Sequence, residues 1–130
     1  MAIRTIFLLL ILLGCNMVYG RTPMQHKMLQ ENNRVRVAAD QTEQMASSNL
    51  DTLSQEWAEW MAANESMTHS NHPYPEIIFA GPDSVKAAFN GWQASGTHYG
   101  IILSGNTHAG FGMAIGNSGT KYWIGMYGNK

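Results

Sequence analysis

Apolar residues fall three and four apart in two parts of this chain and two apart in three others. Leu50, Leu53, Trp57, Trp60 and Met61 share one helical face, while Asp51, Gln55, Glu56 and Glu59 fall largely elsewhere. That spacing predicts a helix whose aromatic stripe turns to the core and which ends near Asn64, with Ser48 and Asp51 as its capping box. Val85, Ala88, Phe89 and Trp92 stand at i, i+3, i+4 and i+7 and predict another. Gly81-Pro82-Asp83 opens it, with Pro near the first turn, and Gly96 closes it. The short apolar run Ile77 to Gly81 lies between the two.

Toward the C-terminus the period becomes two. Tyr99, Ile101 and Leu103 alternate, as do Phe111, Met113 and Ile115, and then Tyr122, Ile124 and Met126. These predict three strands, the last two joined by a hairpin at Asn117-Ser118-Gly119. Helices first and an antiparallel sheet last describe an α+β domain with helices packed on the sheet.

Upstream the pattern weakens. Residues 21–31 read as a loose N-terminal extension that leads into a helix around Met28 to Ala39, whose apolar marks are Leu29, Val35 and Val37. Residues 32–130 form the folded domain, with Asp40 to Ser47 a connection. Residues 1–20 read as a secretory signal: Arg4 supplies the positive start, Thr5 to Leu13 is an apolar run too short to span a bilayer, and Val18-Tyr19-Gly20 offers small residues for cleavage after Gly20. Leu12-Leu13-Gly14-Cys15 offers a second processing, a lipobox that would anchor the chain through Cys15. Either route exports the protein, to a secreted or periplasmic location, and leaves no transmembrane helix in the mature chain.

Composition narrows the function classes. A 130-residue chain that is 45% hydrophobic and 13% charged builds one core, and a net charge of −1 with scattered Lys and Arg offers no basic stripe for nucleic acid. Cys15 is the one cysteine, so no intramolecular disulfide is available and packing must supply stability. The nine Met are dispersed without a repeated Met-x-x-Met, as core filler rather than copper ligands. Asn64-Glu65-Ser66 matches a glycosylation acceptor in form only.

Chemistry concentrates in two turn-rich joints, each directly after a helical pattern. These are Thr68-His69-Ser70-Asn71-His72-Pro73-Tyr74-Pro75-Glu76 and Ser95-Gly96-Thr97-His98-Tyr99. Two imidazoles can hold a divalent cation such as Zn²⁺ with water completing the site, and a nearby carboxylate can ligate, orient an imidazole or take a proton from that water. Equally, His69 and His98 can be polar residues hydrogen-bonded to Glu76 that brace the joint between helices and sheet. His72 could replace His69, while His26 and His108 read as surface residues. No Gly-x-Ser-x-Gly elbow frames Ser70 or Ser95, which makes nucleophilic catalysis the poorer reading.

The ordered set Gln55-Glu56-Trp57-Ala58, Met67-Thr68-His69-Ser70, Pro75-Glu76-Ile77, Val85, Trp92, His98-Tyr99, Gly110-Phe111-Gly112-Met113-Ala114 and Tyr122-Trp123 resembles the CAP superfamily. This superfamily comprises cysteine-rich secretory proteins, antigen 5 and pathogenesis-related 1 proteins, also called SCP domains. The likeness runs from about Asn32 to Gly128 and is nearest to short bacterial exported members. It implies a three-layer α-β-α sandwich around an antiparallel sheet and a cleft lined by His69, Glu76 and His98, the last at the start of a strand. Pro75 and Ile77 replace the Gly and Asn that flank the family's Glu, and Ser95 stands where a second acid often lies. The expectation is therefore an exported domain whose cleft binds a small molecule, lipid or peptide, with a metal such as Zn²⁺ on His69 and His98 as an option. A metal-dependent hydrolase with Glu76 as its base and a structural or adhesive module with a vestigial cleft are the alternatives, and the missing acid weighs against an enzyme.

Overall fold

The computed structural model describes residues 21–130, so the expected signal segment and Cys15 lie outside the described residues. The elements are α1 (Pro23–Ala38), β1 (Met45–Ala46), α2 (Ser48–Asn64), β2 (Glu76–Ala80), α3 (Val85–Gln93), α4 (Gly96–Ile102), β3 (His108–Ile115) and β4 (Lys121–Gly128). The sheet order is β1-β3-β4-β2. β4 pairs antiparallel with β3 and β2, in a register that sets Phe111 opposite Gly125 and Ile78 opposite Ile124. The sheet is mixed, however, because the two-residue β1, expected as connection, pairs parallel with the start of β3.

Strand alternation divides the core into two layers. Ile77, Phe111, Trp123 and Tyr127 face α1, α3 and α4, where Met28, Phe89, Trp92 and Ile102 meet them. Ile78, Tyr122, Ile124 and Met126 face α2, where Leu50, Ala58 and Met61 meet them. Helices on both faces of one sheet make the three-layer α-β-α sandwich.

α1 begins at Pro23, inside what reads as a loose extension. Thr22 accepts from the Gln25 amide while the Gln25 side chain accepts from Thr22 N–H, a reciprocal cap with Pro in the first turn. Its polar residues are buried because they meet backbone and each other. Gln25 Nε2 donates to the carbonyls of Asp51 and Phe111, and Asn32 accepts from the Tyr127 hydroxyl and donates to Gln44. Arg36, 3% exposed, donates to the carbonyls of Thr42, Ile102 and Ser104 and so ties the end of α4 to α1.

The cap of α2 lies one residue earlier than expected, at Ser47, which accepts from Leu50 N–H, so that Ser48 is already helical. Asp51 turns away from the helix end to accept from Phe111 N–H and from Arg21. α2 lies directly on β3 because Gly110 and Gly112 carry no side chain. A Cβ at Gly110 would stand 2.2 Å from the backbone of Leu50 and Asp51, and one at Gly112 2.6 Å from that of Ser54 and Gln55. Gln55 completes the seam by donating to Met113 O and accepting from Met113 N–H.

Two further expectations fail here, the first in part. In the stripe of α2, Leu50 and Met61 are buried with Ala58 and Ala62, and Leu53 and Trp57 pack half-buried against them, but Trp60, stacked on Trp57 at 4.4 Å, is 41% exposed. Residues 99–103 are not a strand either. They belong to α4 and the residue that caps it, and the sheet place beside β3 is filled by Met45–Ala46. α3 accordingly ends at Gln93, before Gly96, and starts at Val85 behind the Ser84 cap, with Pro82 upstream of its first turn.

Candidate functional site

β2 forms one outer edge of the sheet, and its first residue, Glu76, is buried at 9% exposure. The chain reaches it from α2 through a left-handed residue, Glu65 at φ 46°, and the segment Ser66–Pro75. Trp57 fixes the start of that segment by donating its indole N–H to Thr68 O at 2.7 Å. The next two residues close on Glu76. His69 Nδ1 lies 2.7 Å from Glu76 Oε1, Ser70 N–H donates to the same oxygen at 3.0 Å, and the Ser70 hydroxyl donates to Oε2. A carboxylate presents only acceptors, so Nδ1 carries the proton of that contact and Nε2 is the free nitrogen of a neutral ring.

His98 comes from a separate segment. It stands in the first turn of α4, not at the start of a strand, because Ser95 and Gly96 begin a helix. The Ser95 side chain makes no hydrogen bond to that helix, although Ser95 occupies its cap position.

His69, Ser95 and His98 line one cavity of ≈ 370 Å³ together with Met67, Ile78, Phe79, Gly91 and Trp92. The walls are thus mostly apolar, with polar groups from two segments. Glu76 stands behind His69 and is not part of the lining. Gly91 lets the ring of Phe79 lie against α3, since a Cβ there would stand 2.1 Å from Phe79 Cε2. Trp92 is fully buried, and its indole N–H donates to Ile78 O at 3.1 Å.

The remaining candidates lie apart. His72 and His26 are exposed, and His108 begins β3 beside Thr107. His108 lines a larger and more open hollow of ≈ 770 Å³ with Ser47, Tyr74 and Lys130, which contains neither His69 nor His98. Among the described residues no group of three or more His, Cys, Asp or Glu gathers as a metal cage. The walls Met67, Ile78, Phe79 and Trp92 escaped the sequence reading because apolar residues that line a cavity follow the same spacing as those that fill a core. Ser70 had one available signal, its place beside His69.

Among curated proteins no relative matches. Solved structures share the fold. An outer surface protein of Borrelia burgdorferi is 14% identical, with 81% of this chain and 91% of that one covered and a TM-score of 0.72. Venom allergen-like protein 4 of Schistosoma mansoni is 8% identical, with 83% and 90% covered and a TM-score of 0.66. Hookworm platelet inhibitor is 14% identical, with 86% and 72% covered and a TM-score of 0.63. The profile of the cysteine-rich secretory protein family matches residues 29–127, most of the described chain, and the protein therefore belongs to that family, the CAP family.

Proposed function

We propose that the cavity between β2, α3 and α4 binds a small ligand with an apolar body, and that His69, Ser95 and His98 make its polar contacts. One observation carries this reading: side chains from two separate segments, two of them imidazoles, meet on the wall of a single apolar cavity. The occupant is a small molecule, a lipid chain or a peptide side chain. The family match and the apolar run at residues 5–13 support action outside the cytoplasm.

A divalent cation on His69 and His98 is the second reading, favoured by the Glu76 carboxylate behind His69 Nδ1. Such a carboxylate fixes the tautomer of metal-binding histidines and leaves Nε2 to the ion. Two imidazole donors suit a labile, water-completed site for Zn²⁺ rather than a closed structural one. When bound, the ion would supply Lewis acidity to an oxygen in the cavity. Hydrolysis is less well supported, because both Glu76 oxygens are already engaged and the Ser70 hydroxyl points to Glu76 rather than to an imidazole.

The test is a Zn²⁺ titration followed by amide NMR on wild type and on His69→Ala, His98→Ala and His26→Ala. Expected shifts gather at residues 67–70 and 95–98, vanish in the first two variants and persist in the third. Binding should also weaken on acidification, since protonated imidazole cannot ligate. Equal binding in all four proteins overturns the metal reading. For the cavity reading, 1-phenylethanol should shift Phe79, Trp92 and His98, and no shift there overturns it.

A further inference from the structure

We propose that Ser70 is a positioning residue that acts through Glu76 to hold His69 with a hydrogen-bond acceptor facing the cavity, and that the cavity therefore selects ligands whose polar end donates, such as alcohols, over acceptor-only ligands such as ketones. The ligand half rests on the cavity reading above; the tautomer half does not.

The direction of each bond follows from what each atom carries. Ser70 Oγ accepts from His72 N–H at 3.2 Å, so its own hydrogen is free to go to Glu76 Oε2. Glu76 Oε1 takes the Ser70 amide and His69 Nδ1–H. Two bonds from one serine thus hold both carboxylate oxygens, and the buried carboxylate has a single orientation in which to meet His69. His69 itself is 61% exposed along its side chain, so the bond to Glu76 is the contact that orients its ring. Ser95, with no bond to its helix, and His98, whose side chain has no hydrogen bond among the described residues, can rotate to suit either kind of ligand. His69 cannot, because turning Nδ1 to accept would set two acceptors against each other. The polarity of the site is therefore decided at His69.

The experiment uses the full chain with EDTA present, at a mildly alkaline pH where histidine is neutral. Ring ¹⁵N NMR of wild type should show His69 protonated at Nδ1, and a wild-type ring protonated at Nε2 overturns the proposal without any variant. Ser70→Ala should give a mixture of the two tautomers and Ser70→Thr should restore the wild-type signature, with amide spectra outside residues 66–76 unchanged. An unaltered tautomer in Ser70→Ala removes Ser70 from the role. For the ligand, 1-phenylethanol should bind wild type about three- to tenfold tighter than its ketone, acetophenone, the range one net hydrogen bond supplies, and Ser70→Ala should reduce that preference. Equal or tighter binding of acetophenone overturns the selectivity. If neither probe perturbs the cavity while the tautomer is as expected, the binding reading fails and the Ser70 positioning stands.

Discussion

The two helical seams of the sandwich are built on opposite terms. Where α2 meets β3, glycines remove side chains so that backbone touches backbone, and the polar atoms of Asp51, Ser54 and Gln55 are spent on the strand. Where α3 meets β2, Gly91 likewise admits a close neighbour, but that neighbour is a ring with ≈ 370 Å³ of space beside it. Two buried carboxylates are also used differently. Asp51 ties helix to sheet and to Arg21, whereas Glu76 ties a loop and aims an exposed imidazole. The first seam has nothing left to offer a ligand, and the second is left unfinished around a cavity.

The largest expected effect is Gly110→Ala. Its Cβ would press on the backbone of Leu50 and Asp51, which cannot give, so urea unfolding should show a loss of more than about 3 kcal/mol. Asp51→Ala comes next at about 3 kcal/mol, since it leaves the buried Phe111 N–H without its acceptor and the part-buried Arg21 without its carboxylate. Gly91→Ala meets an equally close contact on paper, yet Phe79 can swing into the cavity, and the loss should be about 1–2 kcal/mol with probe binding abolished. A loss at Gly91 equal to that at Gly110 would show that the two seams are equally rigid. His69→Ala should cost less than about 1 kcal/mol while it alters binding, because most of that side chain is exposed.

Acidity sharpens the same contrast. Burial pushes the Asp51 carboxyl above the ordinary aspartate range, against the pull of Phe111 N–H and Arg21. The folded state then holds that proton more tightly than the unfolded chain. The resulting stabilisation is full below the unfolded value and is lost as pH rises through the folded one. Asp51→Asn should flatten this decline in pH-dependent urea unfolding, and an unchanged slope would mean that Arg21 cancels the burial cost.

What could be read in advance depended on whether a residue's spacing had one explanation or two. Val85, Ala88, Phe89 and Trp92 fit only a helix face, and all four are buried in α3. Tyr99, Ile101 and Leu103 over five residues fit a strand or a helix, and the choice rested on neighbours that spacing does not reveal. α1 was legible only in part, since Gln25 and Asn32 are buried through hydrogen bonds to strands far along the chain and Asn33 through one to the connecting segment that follows. The pairing of His69 with Glu76, seven residues apart, is local enough to suspect. Its meeting with His98 came from family likeness, and that likeness placed His98 on the wrong kind of element.

The indole of Trp92 has one more consequence. Both outer margins of a sheet carry unpaired backbone groups that invite a foreign strand, the route by which sheets grow into fibrils. Here one margin is two residues long, and on the other the carbonyl of Ile78 is already taken by the Trp92 N–H. The side chain that walls the cavity thus also closes part of the edge along which a second chain could be recruited, which ties colloidal safety to the upkeep of the cavity wall. Trp92 cannot be traded for a smaller residue to enlarge the cavity without reopening that edge.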